Sequence, residues 1–268
     1  MSMVLDRLRG WYAASPPTIR KSVGRLVACL PADIKYGSTF KETHTAIKRS
    51  ITDPEFVKTA RLNRLRELIT YTSQTDYYKP LLANLPAPDE FDFDDLAKLP
   101  ILTKEELREN PERFLAKPID RVDIASTSGS SGRPLTFYLD KNRGAKEFAY
   151  ITHFWSRIGF DYTKSKRAVL RGVHFDDVDN KPWQYDAALK ELRFSPFHMQ
   201  PQNMDLFIKL MHEYQVDYIH GYPSSIMVLA DYVIATGAKM PQSLKGILPV
   251  SEATLPHQLD RLKLAFPQ

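Results

Sequence analysis

Apolar residues recur at helical spacing through the first third of the chain and at mixed spacing afterwards. Ile19, Val23, Leu26 and Leu30 are separated by four, three and four positions, which predicts a helix from Pro16-Pro17 that packs through this face. Asp53 before Pro54 has the form of an N-cap and first helical residue, and Leu62, Leu65, Leu68 and Ile69 carry the period onward. Thr103-Lys104-Glu105-Glu106 has the spacing at which Thr and Glu satisfy each other's free backbone donors at a helix start. A polar, Pro-containing stretch from Leu85 to Asp95 reads as a connection. Residues 1–95 are thus expected to be mainly helical.

Near residue 135 the period falls to two. Leu135, Phe137 and Leu139 alternate with Thr136 and Tyr138, predicting a strand. A helix through Phe148, Ile151, Thr152 and Trp155 is expected to end near Gly159, with Phe154 and Trp155 in the core. "RAVLRG" (167–172), "VDYIHG" (216–221) and "KGILPV" (245–250) read as short buried strands. Between and after them, Phe207, Leu210, Met211 and Tyr214 form one helical stripe. Ser224-Ser225 opens a helix ending at Gly237, and Thr254 with Pro256 opens another carrying Leu259, Leu262 and Phe266. Strands alternating with helices imply right-handed crossovers and a largely parallel sheet, so 96–268 is read as an α/β region continuous with the helical part.

Composition adds bounds. At 268 residues and 43% hydrophobic, the chain can bury a sizeable core. Cys29 is the sole cysteine, so no internal disulfide can form and a reducing cytoplasm is expected. No run approaches the roughly 20 apolar residues that span a bilayer. The formal net charge of +5 is unevenly placed: residues 1–50 hold nine basic and three acidic side chains, net +6. These dispersed charges read first as a solvated helical face, and a basic end can also meet a membrane face or an acidic protein. No nucleic-acid motif accompanies it, so no nucleic-acid partner is expected.

Candidate chemistry centres on "STSGSSGRP" (126–134). Thr127, Ser128, Ser130 and Ser131 offer hydroxyls, and Gly129 and Gly132 allow backbone N–H groups to converge on one concavity. Arg133 adds a charge suited to phosphate oxygens. A Walker A loop needs G-x-x-x-x-G-K-[ST] running into a helix, and here the glycines are three apart, Arg replaces Lys and a strand follows. The G-x-S-x-G elbow fails on spacing as well. A plain linker is opposed by the strand-like flanks "VDIA" and "LTFYL". Elsewhere, Asp176-Asp177-Val178-Asp179 lacks the glycine and terminal Glu of a calcium loop and reads as a solvated turn; the histidines have no zinc spacing, and no metal site is proposed.

Thr127 to Pro134 resembles the T-S-G-[ST]-[ST]-G-[KR]-P phosphate loop of the adenylate-forming superfamily, which includes the acyl-CoA synthetases. More narrowly, four segments are similar to the phenylacetate-CoA ligase-like branch, with its CapK-like members of capsular polysaccharide biosynthesis. They are "LRELITYTSQTDYYKPLL" (65–82), "LAKLPILTKEELREN" (96–110), "IHGYPSSIMVLADY" (219–232) and "LPVSEATLP" (248–256). The resemblance runs from about residue 55 to the end. It implies an α/β fold, a helical N-terminal region packed on a largely parallel sheet with flanking helices, matching an incomplete N-terminal domain of an adenylate-forming enzyme. It further implies ATP with Mg2+ as cofactors, CoA as an acceptor, and a small-molecule carboxylate as substrate. Thr127, Ser128, Gly129, Ser130, Ser131, Gly132 and Arg133 would hold the β- and γ-phosphates, and Ser251 and Glu252 would lie beside the adenine. His220, Gly221 and Tyr222 would line the acyl pocket. Two plainer readings stay open: Ser251 as a helix cap with Glu252 facing solvent, and His220 and Tyr222 as buried groups bonded to backbone. The superfamily's Tyr-Gly-x-[ST]-Glu segment, ribose-binding Asp and C-terminal catalytic Lys have no counterpart in these residues, so impaired chemistry is expected of the chain alone. The alternative is a non-catalytic nucleotide-binding or scaffold module that docks a partner through its basic N-terminal helices.

Overall fold

The computed structural model describes residues 15, 17–30, 32–127, 132–141, 143–172 and 181–267. The first part of the chain forms α1 (Pro17–Ala28), α2 (Ala32–Tyr36), α3 (Ser38–Thr52), α4 (Pro54–Thr72), α5 (Tyr78–Leu82), α6 (Phe93–Leu96) and α7 (Lys104–Glu109). Next come β1 (Val122–Ser126), β2 (Thr136–Asp140), α8 (Arg143–Trp155), β3 (Arg167–Leu170), β4 (Trp183–Asp186) and β5 (Glu191–Phe194). The remainder is α9 (Pro201–Tyr214), β6 (Tyr218–Gly221), α10 (Pro223–Thr236), β7 (Gly246–Pro249) and α11 (Pro256–Ala265). These elements form two compact units, residues 38–150 and residues 1–37 with 151–268. Among the described residues no helix is long and apolar enough to cross a membrane.

In unit 38–150, Asp53 caps α4 by accepting from Phe56 N at 2.8 Å, with Pro54 in the first turn. Leu65 and Ile69, one turn apart, are buried against Phe91, and Leu82, Leu85 and Leu99 surround them. Leu68 is exposed, so the packed face is narrower than the spacing predicts. The expected connection at Leu85–Asp95 contains the start of α6, fixed by a capping box between Asp92 and Asp95. The box expected at Thr103 is present: Glu106 N donates to Thr103 Oγ1 at 3.3 Å, and Thr103 N to Glu106 Oε2 at 2.8 Å. β1 and β2 pair antiparallel, from Val122 opposite Asp140 to Ser126 opposite Thr136.

The other unit is built on a five-stranded sheet in the order β4-β5-β3-β6-β7, parallel except for β4. Successive side chains point to opposite faces of a strand, and here the two faces differ chemically. One carries Ala168, Leu170, Leu192, Phe194 and Ile219 and is buried under α9, α10 and α11 through Phe207, Met211, Ile226, Leu229 and Leu262. The other carries Arg167, Glu191, Arg193, Tyr218, His220 and Leu248; Tyr218 and Leu248 pack with Phe160, Trp155 and Tyr162. On this second face Arg167 Nη2 donates to Glu191 Oε1 at 2.5 Å, and Arg193 Nε donates to Glu191 Oε2 at 2.9 Å and pairs with Asp186 at 2.9 Å. The Arg167 guanidinium lies over the rings of Trp155 and Phe160, 5.2 and 5.4 Å from their centroids.

Two side-chain expectations are corrected. In α1, Leu26 is 73% exposed, and Ile19 and Leu30 are exposed too, while Gly24 is buried. The buried side of this helix passes through Gly24, its smallest residue, where another surface can approach closest, beside half-buried Val23, and not through the other three members of the predicted apolar row. Phe154 is also exposed, since it lies about 100° around α8 from half-buried Trp155.

Removing one partner of a buried ion pair leaves the other charge without compensation, at a cost of about 3–5 kcal/mol. Glu191→Ala should therefore lower the stability measured by urea unfolding by roughly that amount, whereas Glu105→Ala, which removes an exposed partner of Arg108, should change it by less than about 1 kcal/mol.

Candidate functional site

The loop singled out by sequence sits at a hairpin tip. Thr127 N donates to Leu135 O at 3.0 Å, and Leu135 N returns a bond to Thr127 Oγ1 at 3.0 Å, so backbone and hydroxyl of Thr127 both close the neck. Ser128, Gly129, Ser130 and Ser131 lie outside the described residues. Gly132 has φ +97°, a conformation that glycine adopts without strain. Arg133 is exposed, and its carbonyl accepts from Arg108 Nη2 at 3.2 Å. Arg108 thereby ties α7 to the loop's far end, while its Nη1 donates to Glu105 at 3.3 Å and its buried Nε has no hydrogen-bond partner among the described residues. Arg108 escaped the sequence reading; its one visible signal was the three-residue spacing from Glu105.

In the other unit, the remaining candidates gather where β6 and β7 end, the edge at which parallel sheets receive ligands. Gly221 closes β6 beside Leu170, and a β-carbon there would drive into the Leu170 backbone carbonyl; this strand end needs glycine for close approach. Val250 N donates to Gly221 O at 3.0 Å, carrying the β6–β7 pairing one bond past the strands. Ser251 is left-handed, with φ +66°. Glu252 then reaches Ser224 in the first turn of α10: Ser224 N donates to Oε2 and Ser224 Oγ to Oε1, each at 2.9 Å. Tyr222, the N-cap residue of α10, makes no side-chain cap of its own. Glu252 therefore caps a helix 28 residues earlier in the chain, and neither Ser251 nor Ser224 alone would have revealed it.

His220 is 4% exposed. Its ring stands edge-on to Trp155 at 4.7 Å between centroids, and Arg167 Nη1 points at its Nδ1 from 3.5 Å, the long limit of a hydrogen bond. Arginine only donates, so Nδ1 accepts and the ring proton belongs on Nε2, which is buried with no partner among the described residues. Burial, then the charges of Arg167 and Arg171, push the His220 pKa down to about 3. His220 is a neutral imidazole at physiological pH.

Asp176 to Asp179 lie outside the described residues, and among the described residues no group of three or more His, Cys, Asp or Glu is placed to hold a metal ion. An apolar groove of about 480 Å3 lined by Val233, Met240 and Phe266 sits at the opposite end of α10 from Glu252, about 20 Å along the helix.

This fold has counterparts among solved structures. Two crystal structures of 2-hydroxyisobutyryl-CoA ligase, each in complex with 2-HIB-AMP and CoA, superpose on 78% of the chain with TM-scores of 0.52. The open conformation is 17% identical and covered over 51% of its length; the thioesterification state is 18% identical and covered over 46%. Protein CapK of Staphylococcus aureus is 25% identical over 175 residues, 64% of this chain and 39% of CapK. Over the stretches compared, the chain is similar to CapK in sequence and to the CoA ligase in fold. No family model matches it. The chain spans about two fifths of CapK and about half of the ligase.

The neutral His220 gives a signed pH dependence. Its unfolded pKa is near 6.5 and its folded one about 3, so the unfolded state alone takes up the proton between these values, and the stability contribution is lost as pH falls from about 6.5 toward 3. Urea midpoints measured from pH 7 to pH 5, above the carboxylate range, should fall for the wild type and fall less steeply for His220→Phe.

Proposed function

We propose that this protein activates a carboxylate with ATP. The carboxylate oxygen attacks the α-phosphorus, the bond from that phosphorus to the bridging oxygen breaks, and acyl-AMP and pyrophosphate result; the acyl group then passes to CoA or another acceptor. The observation that carries this reading is the hairpin neck: Thr127 closes it through two bonds, and Gly132 supplies a left-handed turn where the resemblance requires a phosphate loop. In this reading Thr127 to Arg133 take the β- and γ-phosphates, and Arg133 offsets charge on the leaving pyrophosphate. Ser251 and Glu252 lie beside the adenine, and His220, Gly221 and Tyr222 bound the acyl group, where a neutral imidazole would leave a carboxylate's charge unpaired. Magnesium would accompany the triphosphate and screen it. CoA use is supported by the ligase structures, which hold 2-HIB-AMP and CoA. A cytoplasmic setting agrees with the lone Cys29.

A second reading rests on α1: exposed Leu26 and Ile19 beside Arg25 suit docking to an acidic partner or membrane face, with the fold retained as a nucleotide-binding scaffold.

Isothermal titration separates the two. ATP should bind the wild type, bind Arg133→Ala about 10- to 100-fold more weakly, as expected for loss of one charged hydrogen bond of about 1.5–3 kcal/mol, and fail to bind Gly129→Val. Equal binding by all three would remove the loop from the site, and tight ATP binding with no ATP–pyrophosphate exchange would favour the scaffold.

A further inference from the structure

We infer that α1 is a lipid-docking helix, whose outward row of Ile19, Leu26 and Leu30 enters the surface of an anionic membrane with Arg25 beside it among the phosphate groups. The inference rests on the docking reading of the N-terminal helices, commits it to one partner, and is independent of whether the chain activates a carboxylate.

A helix at a protein surface normally turns its apolar side inward and its polar side to water. α1 is mounted the other way. It lies against β4, and its buried point is Gly24, with Val23 and Val27 half-buried beside it. Leu26 follows Gly24 by two positions, about 160° around the helix, so the side nearly opposite the packed one carries the apolar row. Ile19, Leu26 and Leu30 are all exposed. Turn bonds from Cys29 N to Leu26 O and from Leu30 N to Val27 O, both 3.1 Å, carry the row past the end of the helix to a length of about 16 Å. Ile34 of α2 adds another exposed aliphatic side chain. Single apolar side chains on a surface need no partner, but a row kept on one helix side marks a contact.

Charge selects the partner. Residues 17–30 hold Arg20, Lys21 and Arg25 and no Asp or Glu, a net of +3. Arg25 is exposed and forms no ion pair among the described residues. Asp186, the one carboxylate of β4, is already paired with Arg193. A second copy of the chain would bring the same cations against the same row, so self-association meets like-charge repulsion. The row is a convex ridge, which a deformable lipid surface encloses without a matching groove. Anionic headgroups then meet the basic residues while the aliphatic side chains enter the acyl boundary.

Cys29 reports on the contact. It is the sole cysteine and is exposed next to the row, so an environment-sensitive fluorophore such as NBD attaches there alone. The protein should co-float with phosphatidylcholine vesicles containing about 30% phosphatidylglycerol, with the Cys29 label shifting to the blue, and stay unbound with pure phosphatidylcholine. Leu26→Ser should weaken binding about 10-fold or more and Arg25→Ala about 5-fold, each with an unchanged urea midpoint because both side chains are exposed. Binding that ignores Leu26→Ser, equal binding to both vesicle types, or no flotation would overturn the inference. Retention on immobilised polyglutamate without vesicle binding would also overturn it while leaving the acidic-partner reading standing, and loss of both would remove docking altogether. ATP–pyrophosphate exchange tests the ligase reading separately.

Discussion

Arg167 begins the middle strand of the sheet with its guanidinium buried, Glu191 on Nη2 and two aromatic rings over its plane. Taking a guanidinium out of water is costly, and the pairing is tolerated because Glu191 is itself shared with Arg193, which also holds Asp186. Three strands, β3, β5 and β4, are linked by this chain of charges, across the face that the apolar helices leave uncovered. The apolar face supplies the bulk of burial; the charged face fixes the register, because sliding β5 by one residue would send Glu191 to the wrong side.

His220 shows how this layer reaches the strand ends. Two residues after Tyr218 on the same face of β6, it shares the aromatic enclosure of Arg167 and is kept neutral by it. The strand then meets Gly221 and the α10 turn within one residue. Core electrostatics and the ends of β6 and β7 are therefore adjacent along the backbone, and a change in the Arg167 cluster bears on the conformation of residues 220–222.

Much of this was legible in the chain. The capping signals at Asp53 and Thr103, the left-handed ends at Gly159 and Gly237, and the short strands at 167, 218 and 246 all appear where their residues placed them. β4 and β5 were not read, and the reason is physical. Their inward residues include Glu191 and Arg193, so the pattern "WQYD" and "ELRF" looks solvated although both strands lie within the fold. Charges that compensate each other across strands erase the alternation by which strands are recognised. The row Ile19, Leu26 and Leu30 failed in the opposite direction: apolar spacing marks a face that can pack, and the neighbour chose the side of Gly24. At the candidate site, the Ser/Gly loop was visible as a local motif, whereas Glu252 capping Ser224 was not, because its partners are brought together only by the β6–α10–β7 crossover.

Gly221 carries a consequence for how such a protein can diversify. Because β3 and β6 approach too closely there to admit even a methyl group, one position of the strand end is closed to mutational drift. Variation at this strand end must enter through the flanking residues, with Tyr222 the freer of the two, since His220 is already committed to the buried charge layer.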